Sequence, residues 1–512
     1  MGCIWQIGKR IKSLNITKRV KQRLLIFVVA YNAELTIEWV LSRIPKKIVS
    51  EFDLEVLVID DQSTDKTFEK AEIFRQGNNK KFKLTILYNV LNQGYGGNQK
   101  IGYHYAIKNK FDFVALVHGD GQYPPEEISS LAQPLASGEV DAVFGSRMMV
   151  RGAALAGGMP LYKFLGNKIL TYCQNKLLNA KLSEYHSGFR IYSVSALNDL
   201  PFSLNSDDFH FDTEIIIQLL LSGRKIKEMP IPTYYGNEIC HVNGIMYAIK
   251  VLQATLRANL QKYTILYDPK FDCENDSQTY TPKFNYPSPH SLAVKSIYEN
   301  DYVLDLGCAG GYVADRLFTK KGCKVVGLDI IKPVQGNKLD AFILCDLDKE
   351  LPKKTPDDVD CVLMLDVIEH LSNIEGFLDR LKEHFKYNEK VTMFVSTGNI
   401  AFFITRLLHL FGMFNYGKKG ILDLTHKRLF TRKTFINLFE QRGFVVQSVT
   451  PVPGPWQMIF GNGAIGKLFT FFNVMLCRVW PQMFAYQFFL QVKPKPHLDA
   501  LLLSAKKRKL NS

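Results

Sequence analysis

Two groups of residues in this chain have the types and spacing to do chemistry. In the first group, three apolar runs end in Ala30-Tyr31-Asn32-Ala33, in Asp60-Asp61-Gln62-Ser63-Thr64-Asp65 and in His118-Gly119-Asp120-Gly121-Gln122-Tyr123. Asp60 and Asp61 cannot hold a phosphate, but carboxylates at a strand end accept hydrogen bonds from a nucleobase or a ribose. His118, Asp120 and Gln122 stand at alternate positions in a glycine-rich turn, a pattern that suits a divalent cation. A cation there would hold a diphosphate and neutralise charge developing on a leaving nucleotide. Arg147 and Arg190 are the expected phosphate partners, because a guanidinium meets phosphate in a bidentate fork. Asp212 and Glu214 open a strongly amphipathic helix (Ile215, Ile216, Leu219, Leu220), with Glu214 the candidate base. A carboxylate there also stabilises the helix dipole without any chemistry, and an acceptor that is itself a phosphate needs no base.

The second group begins at Asp305-Leu306-Gly307-Cys308-Ala309-Gly310-Gly311, which follows one apolar run and precedes a helical pattern. Glycines in such a loop let the backbone approach a ligand closely and pack the helix on the sheet. Asp329 lies 18 residues past Gly311, at the end of the next run, where an acid accepts ribose hydroxyls. Asp346 and Asp366-Val367-Ile368-Glu369-His370 close the following two runs.

The elements that must position these groups are legible as an alternation. Residues 24–30, 54–59, 84–87, 113–117 and 140–144 are short, apolar and rich in β-branched side chains, with helical patterns such as 35–44 and 99–108 between them. That rhythm predicts a parallel sheet covered on both faces. Ligands of such sheets gather at the carboxyl ends of the strands. A polar, proline-bearing stretch, 268–289, predicts a linker. The rhythm then restarts with strands at 303–306, 324–328, 341–344, 361–365 and 390–395, and further strands at 445–450 and from 484. The expected organisation is a basic segment 1–23, a domain 24–267, the linker, a domain 290–495 and a basic tail 496–512.

The first domain resembles the family-two, GT-A-fold glycosyltransferases, in particular their dolichyl-phosphate mannosyltransferase-like branch. The resemblance rests on motifs in order: Ala30-Tyr31-Asn32, Asp60-Asp61-x-Ser63-x-Asp65, Asn92-Gln93-Gly94-Tyr95-Gly96, Gly145-Ser146-Arg147, Ser187-Gly188-Phe189-Arg190 and Phe211-Asp212-Thr213-Glu214. It implies a nucleotide-sugar donor held at Ala30, Tyr31, Asn32, Asp60, Asp61, Arg147 and Arg190. It also implies Mn or Mg at His118, Asp120 and Gln122. The family motif has Asp-x-Asp where this chain has His118-x-Asp120, and imidazole suits manganese better than magnesium. The second domain resembles class I methyltransferases of the branch that methylates hydroxyls of quinones and sugars, through the glycine loop and Asp366-Val367-Ile368-Glu369-His370-Leu371. That implies S-adenosylmethionine bound at Asp305, Gly307, Gly311, Asp329 and Asp346. It also matches His426 to a histidine beside the acceptor pocket of related enzymes. His426, with His370 second, is the candidate base, since a histidine near its ordinary pKa takes a hydroxyl proton at neutral pH. The implied fold class is two α/β domains, a GT-A fold and a Rossmann-like class I methyltransferase fold.

Composition bounds the rest. At 512 residues, 46% hydrophobic and 22% charged, the chain is globular and too long for one core. Nine scattered cysteines without a Cys-x-x-Cys pair fit a reducing cytosol and no zinc module. The net charge of +15 concentrates in two runs, 9–23 and 506–509, that suit anionic lipid headgroups, while no recognition motif points to nucleic acid. No secretory signal or run of about 18 apolar residues is present, so a peripheral contact at the cytoplasmic face of a membrane is expected. The apolar segment 400–416 is expected to lie at the interface, line a lipidic pocket or form a buried lid. The expected partners are thus a nucleotide sugar, a polyprenyl-phosphate or envelope-glycan acceptor and a membrane surface. Two alternatives stand. A nucleotidyltransferase would need a glycine-rich basic loop where Ala30-Tyr31-Asn32-Ala33-Glu34 stands. A methyltransferase carrying an inactive sugar-nucleotide- or membrane-binding module would not turn over a donor.

Overall fold

The computed structural model describes residues 21–77, 82–234, 243–262, 266–273, 283–334, 336–388 and 390–496. The basic runs outside residues 21–23 and the middle of the expected linker lie outside the described residues. The described residues fall into two compact units, one within Met1–Asn259 and Pro269–Glu274, the other within Leu260–Asp268 and Asn275–Ser512.

The first unit is a seven-stranded sheet formed by β1 (Arg23–Ala30), β2 (Asp53–Asp60), β3 (Lys83–Tyr88), β4 (Phe113–His118), β5 (Ala142–Ser146), β6 (Arg190–Ser193) and β7 (Ile226–Pro230). The spatial order is β3-β2-β1-β4-β6-β5-β7. Strands β1 to β4 pair in parallel, with Leu24, Ile26 and Val28 packing one face and Leu25 and Phe27 the other. Strands apolar on both faces belong at the centre of a covered sheet. The sheet is mixed, however: β6 runs antiparallel between β4 and β5. Helices α1 (Gly94–Lys108), α2 (Leu161–Leu178), α3 (Phe211–Leu221) and α4 (Gly244–Lys262) complete what shapes the site. Chain direction along the sheet reverses between β1 and β4, which makes their carboxyl ends the ligand crevice. The start of the expected linker is packed in this unit. Lys270 is ion-paired with Glu214 at 2.8 Å, and Phe271 is buried with Ile217.

The second unit repeats the principle with β8 (Tyr302–Leu306), β9 (Lys324–Asp329), β10 (Ala341–Leu344), β11 (Cys361–Leu365), β12 (Thr392–Gly398), β13 (Phe444–Val452) and β14 (Gln487–Pro494). Its order is β10-β9-β8-β11-β12-β14-β13, with β14 antiparallel to both neighbours and the switch point between β8 and β11. Helix α5 (Tyr312–Lys321) starts directly after the glycine loop, with Gly311 as its N-cap at φ 76°. Three more helices matter below: α6 (Phe403–Leu410), α7 (Trp456–Phe460) and α8 (Ala464–Val479).

Candidate functional site

In the first unit a cleft of about 1990 Å³ opens over the carboxyl ends of β1, β2 and β4. Ala30 and Tyr31 from β1, Asp61 from β2, and His118, Asp120 and Gln122 from β4 all line it. Asn32 sits behind the rim at φ 50°, where its side chain accepts from the Thr64 backbone and its own N–H donates to Ser63. This locks the β1 loop onto the β2 turn. Asp61 accepts from Asn89 and from the Gln93 backbone, which fixes it at the start of α1. Asp60 does not line the cleft. It is buried, its Oδ1 accepts from the Ser63 backbone, its Oδ2 has no hydrogen-bond partner, and burial raises its pKa.

The His118 ring is held edge-on by Tyr95 and Tyr123, with centroids at 5.4 and 4.9 Å. Gly188 makes room for it, since a Cβ there would lie 2.4 Å from Nε2. The Tyr95 hydroxyl donates to Asp212 Oδ2 at 2.9 Å and lies 3.0 Å from His118 Nε2. A hydroxyl has one proton to give, so Nε2 must carry the hydrogen that Tyr95 accepts. Burial lowers the pKa of His118 and keeps the ring neutral, which leaves the lone pair on Nδ1. Nδ1 faces Asp120 Oδ2 at 4.0 Å. Two atoms bound to one cation at about 2.1 Å each stand no more than about 4.2 Å apart. The pair therefore fits one divalent ion. Among the described residues no third His, Cys, Asp or Glu joins them, so a bound ion would need other ligands, such as Gln122 and phosphate oxygens. Were His118 a metal ligand, the chain Asp212–Tyr95–His118 would orient it, as outer partners orient metal histidines.

The two arginines have other partners than the sequence predicts. Arg190 is 1% exposed and lies outside the cleft lining. Its guanidinium donates to the carbonyls of Ser187, Asp212 and Tyr185 and pairs with the Asp212 carboxylate at 3.3 Å. That set consumes the fork expected to meet phosphate. Arg147 does border the cleft, but buried Glu184 takes its Nε and Nη2, and His186 O takes Nη2 as well. The Arg147 guanidinium drives the Glu184 pKa down against the effect of burial. Glu214 is likewise buried away from the cleft, accepting from Lys270 Nζ and the Ser206 backbone. Asp212 does reach the cleft, but it is paired with Arg190 and accepts from Tyr95 and Gln99. Both carboxylates are thus already engaged by a cationic partner. Tyr123, Lys163, His186 and Tyr247 join the lining without having been picked from sequence, and only Tyr123 stood in a motif.

One rim of the cleft is apolar. Tyr162, Gly166, Ile169 and Leu170 of α2 and Ile245 and Ala248 of α4 line it. Helix α2 buries Asn167, Thr171 and Gln174 and exposes Leu161, Leu165, Ile169 and Tyr172.

In the second unit the glycine loop turns through Gly307 (φ 75°), Ala309 (φ 45°) and Gly311 (φ 76°) at the carboxyl end of β8. Asp329 pins it: Oδ2 accepts from the Ala309 backbone at 2.7 Å and Oδ1 from Ile331 at 2.9 Å. Asp305 lies beneath, buried, its carboxyl pushed up to about 7 by burial and by Asp329. A Cβ on Gly307 would meet Val367 at 2.4 Å, so the loop lies against the β11 turn across the switch point. Backbone cradle, acid at the β9 end and crevice position together fit S-adenosylmethionine. Asp346 sits at the end of β10, paired with Lys349 and accepting from the Asp348 backbone. The two candidate bases come together. The Lys427 and Arg428 backbones donate to Glu369 O, which lays the segment 425–428 on the β11 turn. His370 and His426 end with ring centroids 4.8 Å apart. His370 Nδ1 meets Thr425 Oγ1 at 3.0 Å and His426 Nδ1 meets Ile421 O at 2.9 Å. Burial first, and His426 second, lower the pKa of His370.

Comparison with known proteins agrees with this division. The glycosyl transferase family 2 model matches residues 25–200, and a methyltransferase-domain model matches residues 278–449. An uncharacterized protein of Methanocaldococcus jannaschii is 30% identical over 42% of this chain and 83% of its own length. The low-salt glycan biosynthesis hexosyltransferase Agl6 of Haloferax volcanii is 32% identical over 40% of this chain and 44% of its own. The UDP-N-acetylglucosamine–dolichyl-phosphate N-acetylglucosaminyltransferase of Methanococcus voltae is 25% identical over 46% of this chain and 96% of its own.

Proposed function

Because this chain belongs to glycosyl transferase family 2 through its first unit and carries a methyltransferase domain in its second, we propose that it catalyses two transfers. One moves a sugar from a nucleotide-sugar donor to a polyprenyl phosphate or envelope-glycan precursor. The other moves a methyl group from S-adenosylmethionine to an acceptor hydroxyl.

The observation that carries the sugar half is the cleft at the β1–β4 switch point, with polar ligands on its floor and an apolar rim. Asp61 and the Tyr31 backbone would receive the nucleoside, as carboxylates accept from base and ribose. His118 Nδ1, Asp120 and Gln122 would hold a divalent cation, which when bound neutralises charge on the leaving diphosphate. Tyr95 holds His118 in the tautomer that this needs. With Asp212 and Glu214 both tied to cations, the arrangement favours a nucleophile that is already ionised. A lipid-linked phosphate is such a nucleophile, and the α2–α4 rim offers its chain an apolar path. The relative from Methanococcus voltae is named for a dolichyl-phosphate acceptor, in keeping with this reading.

For the methyl half, the Asp305–Gly311 loop and Asp329 would hold S-adenosylmethionine, which when bound supplies the methyl group. His370 and His426 lie ring edge to ring face, 4.8 Å apart, and one of these imidazoles would take the hydroxyl proton. Among the described residues no helix is long and apolar enough to cross a membrane. We place the chain peripherally, at the cytoplasmic face. The test is incubation of the whole protein with a panel of nucleotide sugars, S-adenosylmethionine and a lipid extract, read by mass spectrometry. Hexose-bearing and methyl-bearing products support both halves. Methylation without donor turnover would leave the first unit a binding module.

A further inference from the structure

Helix α8 is built inside out. In a globular protein the apolar stripe of a surface helix faces the core. Here the buried positions are Gly466, Thr470, Asn473 and Cys477, whose spacings of 4, 3 and 4 mark a single face. Their polar atoms are satisfied within the protein. Thr470 donates to Gly466 O, and Asn473 accepts from the Gly454 backbone and Trp456 Nε1 and donates to Phe484 O. The apolar residues are what the helix exposes: Leu468, Phe472, Met475, Leu476 and, at 82% exposure, Val479.

The surface extends beyond one helix. Helix α7 packs on α8 through Phe460 stacked on Phe469 at 4.6 Å, and Phe403 of α6 reaches Trp456 of α7. Helix α6 packs inward through Phe402, Phe403 and Thr405 but turns Leu407 and Leu410 outward, with Phe411 and Phe414 just beyond. Exposed apolar residues on three helices joined by these ring contacts mark an interaction site. Its charge says what kind. No Asp or Glu occurs in residues 390–422 or 441–498, which supply all three helices, while Arg406, Lys418, Lys419, Lys467 and Arg478 do. Apolar residues drawn from stretches whose only charges are cationic match an anionic lipid surface, with acyl chains beneath and phosphates above. The 16 residues of α8 reach about 24 Å, less than the roughly 30 Å of a hydrocarbon core. A helix this short cannot span the core, so at a membrane it would lie in the interface.

We propose that α6, α7 and α8 form a membrane-insertion surface that seats the methyltransferase unit in the outer layer of an anionic bilayer. This deepens the membrane contact proposed above. It assigns the anchor to these helices in place of the basic chain ends, and it implies that the methyl acceptor is presented at a lipid surface.

The test is flotation of the full chain with vesicles of phosphatidylglycerol and phosphatidylcholine, against phosphatidylcholine alone, at low and at high salt. Insertion predicts binding to the anionic vesicles that survives about 1 M salt, where charge interactions are screened beyond about 3 Å. The triple variant Leu468→Gln, Phe472→Gln, Leu476→Gln, at three exposed positions, should keep its melting temperature and weaken vesicle binding at least roughly tenfold. The Arg478→Glu variant should weaken binding at low salt alone. Complete release at high salt, or a triple variant that floats like the parent, overturns the proposal. So does a dimer that the triple variant dissociates without any vesicle binding. Flotation needs no turnover, so its failure is separable from failure of either transfer.

Discussion

Tyr95 bridges Asp212 and His118, and so would orient one ligand of the proposed metal site. It is the residue through which Asp212 fixes the His118 tautomer. Outer partners of this kind contribute about 10- to 100-fold in metal affinity. Tyr95→Phe should therefore raise the Mn concentration needed for half-maximal sugar transfer by about that factor, with little change in the maximal rate at saturating Mn. An unchanged Mn requirement would count against the series. Glu369 makes a second residue-scale prediction. Burial, then Asp366, push its carboxyl up to about 8 from an ordinary 4.5. A raised folded value means the folded chain holds this proton more tightly. The stability it confers is full below the unfolded value of 4.5 and is lost as pH rises through about 8. The melting temperature of the methyltransferase unit should fall between roughly pH 4.5 and pH 8, and Glu369→Gln should flatten that slope. A variant as pH-sensitive as the parent refutes the assignment. At this scale sequence was a fair guide to what stands at strand ends and a poor one to partners. Asp61, His118 and Asp120 follow apolar runs that had to be strands, so their place in the crevice was legible. Arg190 was misjudged because its acceptors are carbonyls set by the turn before β6 and a carboxylate on α3, which no local pattern reveals.

Elements with a strong local signature were legible, and those without one were not. Every run of apolar, β-branched residues became a strand, as did 445–450 and the stretch after 484. Strand β6 has four residues, and β7 (Ile-Lys-Glu-Met-Pro) has a charged middle and a terminal proline, so neither shows an apolar run. Their absence from the reading is why a parallel sheet was expected and a mixed one found. The segment 400–416 was legible as apolar but not as outward-facing, because α6 packs inward through Phe403 and Thr405 and turns other apolar residues outward, and periodicity alone cannot say which face is inside. The end of β9 carries the element-scale prediction. Both oxygens of Asp329 accept backbone N–H groups of the loops that would enclose S-adenosylmethionine. Asp329→Ala removes those pins and the ribose acceptor together, a loss of roughly 1–3 kcal/mol. Calorimetry should show cofactor affinity down about tenfold or more. Unchanged affinity would place the cofactor elsewhere.

For the molecule as a whole, two sheets with separate switch points suggest two units that fold apart. Residues 269–273 belong to the first unit's packing, with Lys270 on Glu214, so the accessible link should begin after them. Limited proteolysis should cut first within 274–282, because Phe284 and Ser288 are already packed in the second unit, and leave two stable fragments; first cuts inside either sheet would contradict that. Division of labour between the units is the central claim, and cation dependence tests it most directly. The proposed ion ligands His118, Asp120 and Gln122 are confined to the first unit. Both transfers should therefore be followed in one reaction containing nucleotide sugar, S-adenosylmethionine, polyprenyl phosphate and a lipid extract, with and without excess chelator. The account predicts that chelator abolishes sugar transfer, that Mn restores it and that methyl transfer is unaffected. Full sugar transfer in excess chelator, or equal loss of both activities, would contradict it.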